Sequence, residues 1–276
     1  MNSEASEEPA KPSEAGADSN ASPNPPYKNV KDIIKGFRKD VYHAISDQPL
    51  SNKQVLEFEN RVLFNPDDSE AREHLAYHYR KQVKKRLSFF RSFFDLLTKD
   101  KYEPVCKQKF REHVLWIFKN RPLSPTASDL GILWVASLDP ETARQASEIW
   151  QRHAEENTTN ARILSNAGFF FLSPDLAKFV NFQTKAAQAD PGDPHRWRRL
   201  AVTFSALAKK ASNPESRQKA WQKVLYYKEQ ELEVCEPRNK LAILIELSNC
   251  AANAGDFEKS LFYEAEVRKM GWTEPL

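Results

Sequence analysis

The 276-residue chain predicts an all-α fold, an α-solenoid of stacked antiparallel helix pairs behind an N-terminal tail. Three observations predict it. From Tyr27 onward apolar residues recur at three and four positions, and clusters of Pro, Asp, Ser or Thr punctuate the runs at helix starts. Strand-type alternation is almost absent. The stretch Arg61 to Tyr79 (RVLFNPDDSEAREHLAYHY) also aligns without a gap with Ala186 to Phe204 (AAQADPGDPHRWRRLAVTF), with identities at Pro66/Pro191, Asp68/Asp193, Leu75/Leu200 and Ala76/Ala201. Each copy runs from a helix end through a Pro-Asp turn into a helix bearing Leu-Ala and then an aromatic. Such repetition is expected of units that cannot bury their apolar faces alone and must stack.

In order along the chain, residues 1–26 hold five Pro, five Ser and five Ala, with nothing large enough to offset the cost of ordering, and read as a disordered tail. Region 27–137 should be helical. Its first helix is expected near Asn29 to Ile45 and its second at Asn52 to Phe64, ended by Asn65-Pro66. From Ser69 to Thr98 there is no Pro or Gly, and the series Leu75, Tyr79, Val83, Leu87, Phe90, Phe94, Leu97 keeps helical spacing. One helix of about 45 Å would fit, at 1.5 Å per residue. Later boundaries are expected at Pro104, Pro122, Asp139-Pro140, Asn157 to Asn160, Ser173-Pro174, Asp190-Pro191, Asn213-Pro214 and Pro237. They make roughly ten helices joined by short turns, with region 138–276 carrying the repeats.

Composition excludes several function classes. Seven Gly, isolated beyond the tail, leave no glycine-rich phosphate loop. Three distant cysteines, Cys106, Cys235 and Cys250, form no C-x-x-C pair, so neither a disulfide framework nor a structural zinc site is indicated, and a reducing compartment fits. No run approaches the ~18 apolar residues of a membrane span, and no basic start leads into an apolar run, so a cytoplasmic location is the expectation. The tail carries five acids against Lys11. It is therefore −4, and since the whole chain is +3 the remainder is +7.

The second half resembles the tetratricopeptide repeat family, whose units of about 34 residues interlock large, small and aromatic residues. The residues that carry the resemblance are Leu164, Ala167-Gly168, Phe171, Ala186 and Pro191 in one unit and Trp197, Leu200-Ala201 and Phe204 in the next. In the last they are Leu244, Leu247, Ala251, Gly255-Asp256-Phe257 and Ser260. Lys209 to Gln218 lengthen one connection, Glu264 stands where an aromatic is usual, and residues 81–137 have no place in the consensus. The stretch from His113 through Phe171 resembles uncharacterised bacterial proteins of this class. What the resemblance implies is a non-catalytic scaffold that binds a protein or peptide in a concave groove lined by the first helix of each unit. Carried over position by position, the groove would present Tyr77, Arg80, Arg162, Phe169, His195, Arg198 and Asn249. The family's Lys and Asn clamp for a terminal carboxylate is not reproduced, although Arg162, Arg198 and Asn249 could accept acidic groups.

A second reading comes from charge. Between Arg80 and Arg111 eleven basic residues face three acids, a local +8 that includes Lys81, Lys84, Lys85, Arg86 and Arg91, interleaved with Phe89, Phe90, Phe93 and Phe94. Such a patch could draw nucleic acid or an anionic membrane, against the plainer alternative that the lysines and arginines solvate a helix whose apolar stripe is core. His74 and His78 stand one turn apart with Glu70 a turn before, but H-E-x-x-H is absent and no third metal ligand can be nominated. No Gly-x-Ser-x-Gly elbow and no cysteine in a catalytic context is found. No enzymatic activity, cofactor or small-molecule substrate is therefore expected.

Overall fold

A computed structural model describes residues 50–88, 102–131, 140–172 and 174–273. Among these residues every regular element is an α-helix. The helices are α1 (Asn52–Phe64), α2 (Ser69–Ser88), α3 (Tyr102–Asn120), α4 (Pro125–Gly131), α5 (Pro140–Glu156), α6 (Ala161–Phe171), α7 (Leu176–Ala189), α8 (Pro194–Lys210), α9 (Pro214–Val234), α10 (Pro237–Ala254) and α11 (Phe257–Lys269). The tail at 1–26, the helix expected near Asn29 to Ile45 and the Phe-rich stretch with Arg91 lie outside the described residues. So does the boundary expected at 137/138.

Most helix starts follow from a side-chain oxygen that accepts an otherwise unpaired N–H of the first turn. Ser51 and Gln54 cap α1 reciprocally, Ser51 Oγ accepting from Gln54 N and Gln54 Oε1 from Ser51 N. Asn160, Asp175, Asn213 and Asp256 cap α6, α7, α9 and α11 one way only, each side-chain oxygen accepting a first-turn N–H. Two expected starts move for this reason. α7 begins after Asp175 rather than at Ser173-Pro174. α8 begins after Asp193, with Pro194 in its first turn, rather than at Asp190-Pro191, because Pro191 occupies the turn itself. α4 was not anticipated, since seven residues are too few to display a period.

The two stretches that align in sequence share one local geometry. Asn65 N bonds to Arg61 O at 2.8 Å and Asp68 N to Asn65 O at 3.0 Å; 125 positions later Asp190 N bonds to Ala186 O at 3.2 Å and Asp193 N to Asp190 O at 3.4 Å. Asp68 and Asp193 then each accept an N–H of the following helix, from Ala71 and His195. Beyond the turns, Leu75, Ala76, Leu200 and Ala201 are all buried.

Among the described residues, packing falls into two apolar clusters. Phe110, Val114, Phe118, Leu130, Trp150, Leu164, Phe170 and Phe179 anchor the first, drawn from α2 to α7. Trp197, Leu200, Val224, Tyr227, Leu244, Leu247 and Val267 anchor the second, drawn from α7 to α11. The first spans both sides of residue 138, and the passage from one to the other falls on α7, where Ala186 belongs to the first and Ala187 to the second. In the first half α3 packs on α2, α4 and α5, while α6 packs on α4, α5 and α7. From α7 onward each helix packs chiefly on its neighbours in the chain.

Candidate binding cleft

α9 is flanked by α8 on one side and α10 on the other, and the space between α8 and α10 is a cleft of about 840 Å³. Each helix contributes one face at helical spacing: Arg198, Val202, Ser205 and Lys209 from α8, Asn239, Ala242, Glu246, Asn249 and Asn253 from α10, and Trp221, Val224, Lys228 and Glu231 along the bottom from α9. Space remains because wall positions such as Ala201, Ser205, Ala206 and Ala242 carry small side chains.

The bottom of the cleft is charged and buried. Lys228 is 6% exposed and Glu231 0%. Arg198 Nε lies 2.6 Å from Glu231 Oε1, Lys228 Nζ lies 2.9 Å from Glu231 Oε2, and Lys228 also pairs with Glu246 across from α10. Burial disfavours the Lys228 ammonium, but Glu231 and Glu246 together outweigh it and hold its pKa above the ordinary lysine value. Beside them burial pushes the Cys250 thiol up to about 11, which keeps it neutral and non-nucleophilic near pH 7. Each ion at the bottom is therefore compensated, as buried charges must be.

Of the residues expected to line a groove, Arg198 and Asn249 stand in this cleft. The others are dispersed. Tyr77 donates to Asp129 Oδ2 at 2.8 Å, linking α2 to α4; burial first and the Asp129 carboxylate next push its phenol well above the usual range. The Arg80 guanidinium lies 4.9 Å from the centre of the Tyr77 ring. Phe169 is 2% exposed and packs in the first cluster, with the Arg199 guanidinium 5.2 Å over its ring. Arg162 and His195 are exposed in the first turns of α6 and α8, outside the cleft.

Among the basic residues Lys81 is half-buried on α2, and Lys84, Lys85 and Arg86 belong to the same helix. His74 stacks on Phe58 with ring centres 4.9 Å apart, and His78 meets Tyr79 edge-on at 5.3 Å. Among the described residues no group of three or more His, Cys, Asp or Glu could hold a metal ion, and no helix is long and apolar enough to cross a membrane.

Sequence reasoning missed Lys228, Glu231, Glu246 and Trp221. The expected groove was confined to other helices, whereas three of these four lie on α9, from which no groove residue was expected. The Lys228–Glu231 spacing of three was the available signal, and it is indistinguishable in sequence from an ordinary surface pair. Comparison with known proteins returns no matching family model and no matching curated protein.

Proposed function

We propose that the protein is a non-catalytic interaction scaffold: a tetratricopeptide-like solenoid whose cleft between α8 and α10 holds a segment of a partner protein. Sequential packing from α7 onward and the turn geometry repeated 125 positions apart support the solenoid half of this reading. The cleft carries the binding half. Its volume of about 840 Å³ suits a short peptide. Val202, Ala206, Trp221 and Ile243 supply apolar contact, while Arg198, Asn239, Asn249 and Asn253 supply polar groups that would fix an extended or helical backbone. Partner affinity would come from burying apolar side chains at the centre and from desolvated polar anchors around them.

The test is a photo-crosslinking amino acid placed at Ala242, which is exposed and lines the cleft, or at Lys223, which is exposed on α9 and does not. In native lysate a discrete crosslinked polypeptide at Ala242, absent at Lys223 and abolished by Asn249→Lys, is the expected result. Equal labelling at both positions, or none at either, overturns the reading.

A further inference from the structure

We propose that the segment held in this cleft is acidic, and that its carboxylate takes over the place on Lys228 that Glu246 fills in this structure. The inference rests on the binding reading above and adds to it the chemistry of the partner and a competing group within the chain itself.

The two carboxylates on Lys228 are not equivalent. Glu231 lies on the same helix, is 0% exposed and is also held by Arg198 at 2.6 Å. Its departure would strand two cations at the bottom of the cleft, which buried ion pairs do not tolerate. Glu246 reaches in from α10 with a side chain 54% exposed. It can turn out to water at little desolvation cost, provided that another anion reaches Lys228. The ammonium is too deeply buried to be hydrated in its place, being 6% exposed.

The replacement must therefore carry a negative charge, and the surroundings favour one. Lys209 and Lys210 are exposed along the α8 wall and Arg198 is half-buried lower down. An incoming acidic segment meets these cations before it meets Lys228, which speeds encounter. A basic segment meets them as repulsion, and a neutral one brings carbonyl oxygens but no charge to balance Lys228 once Glu246 has left.

Exchange of one carboxylate for another leaves the charge of the bottom unchanged. Binding free energy must then come from apolar contact with Val202, Ala206, Trp221 and Ile243, so the segment needs an aliphatic or aromatic residue near its acid. Glu246, tethered beside its site, competes at a high effective concentration and sets the threshold that the apolar contact has to exceed. It follows that removing the charge of a residue which lines the cleft should strengthen binding, the opposite of what loss of an ordinary contact does.

The probe is a random twelve-residue phage-displayed peptide library selected on the full chain, with enriched peptides measured by fluorescence anisotropy. Enriched peptides should carry Asp or Glu near an aliphatic or aromatic residue. They should lose binding to Ala242→Trp, which fills the cleft, and bind Glu246→Gln roughly tenfold more tightly, the scale of one charge-assisted hydrogen bond. Glu246→Gln leaves Lys228 paired with Glu231 alone, so circular dichroism and the urea midpoint first establish that the variant is folded. Peptides that depend on the cleft but lack acids, or that bind Glu246→Gln no more tightly than the wild type, overturn the exchange and leave the binding reading standing. If no enriched peptide is sensitive to Ala242→Trp, the binding reading fails and the exchange fails with it.

Discussion

Glu59 on α1 accepts from Tyr79 at 2.8 Å on Oε1 and from Lys109 at 3.0 Å on Oε2, while the buried His113 ring places Nε2 3.6 Å away, an electrostatic neighbour at a distance too long for a hydrogen bond. His113, with Lys109 and Tyr79, outweighs the burial that opposes ionisation and holds the Glu59 carboxyl at about 2 against an ordinary 4.5. A carboxyl lowered on folding stabilises the protein above its unfolded value, and that contribution is lost as pH falls from about 4.5 toward 2. Glu59→Gln should therefore cost about 2 kcal/mol at pH 7 and flatten the fall in stability between pH 5 and pH 2, as urea melts across that range will check. The sequence could not single out Glu59. Its partners Tyr79 and Lys109 lie 20 and 50 positions away and meet it only once α1, α2 and α3 have packed. The same limit hid the network around Lys228: spacing along one helix puts Arg198 and Asn249 on the face that lines the cleft, but the same spacing leaves Phe169 in the core.

At the scale of elements, several helix starts were legible from a local signal, although Asp175, an equally local cap, was passed over for Ser173-Pro174. Ser51, Asn160 and Asn213 announce α1, α6 and α9 with their own side chains. The start of α8 was misplaced because two Asp-Pro pairs stand within five residues, and only the backbone decides that Asp193 rather than Asp190 is the cap. How α6 meets α7 is a matter of close approach at Gly168. A Cβ there would stand 2.7 Å from Gln183 Nε2. Gln183 has no room to yield: it is 1% exposed, donates to Ser165 O at 2.9 Å and accepts from Ser165 Oγ at 3.3 Å. Gly168→Ala should cost about 2 kcal/mol through displacement of this bonded side chain. Gly192→Ala, where an added Cβ meets nothing within 4 Å, should change stability by less than about 0.5 kcal/mol. Paired denaturation curves make the comparison. At Gly255 the backbone itself sets the requirement, since φ of +81° lets the chain leave α10 and enter the turn before α11.

At the scale of the molecule, the two apolar clusters of the described residues, which meet at adjacent alanines on α7, imply stability that is distributed along the chain. Leu247 is 0% exposed in the second cluster, and Leu247→Ala should cost about 3 kcal/mol. Hydrogen exchange followed by mass spectrometry should show the loss of protection concentrated in α8 to α11, with α3 to α6 changed much less. Uniform loss across all helices would mean that the clusters unfold as one. The all-helical class was legible because three-to-four spacing is a property of the chain alone, but the division at α7 was not, because it depends on which neighbour each face chooses. The burial of Lys228 also has a chemical consequence. With its amine enclosed by two carboxylates, it is shielded from acylating reagents that reach the surface lysines at Lys209, Lys210 and Lys223, so its rate of modification is a clock for how often the cleft opens.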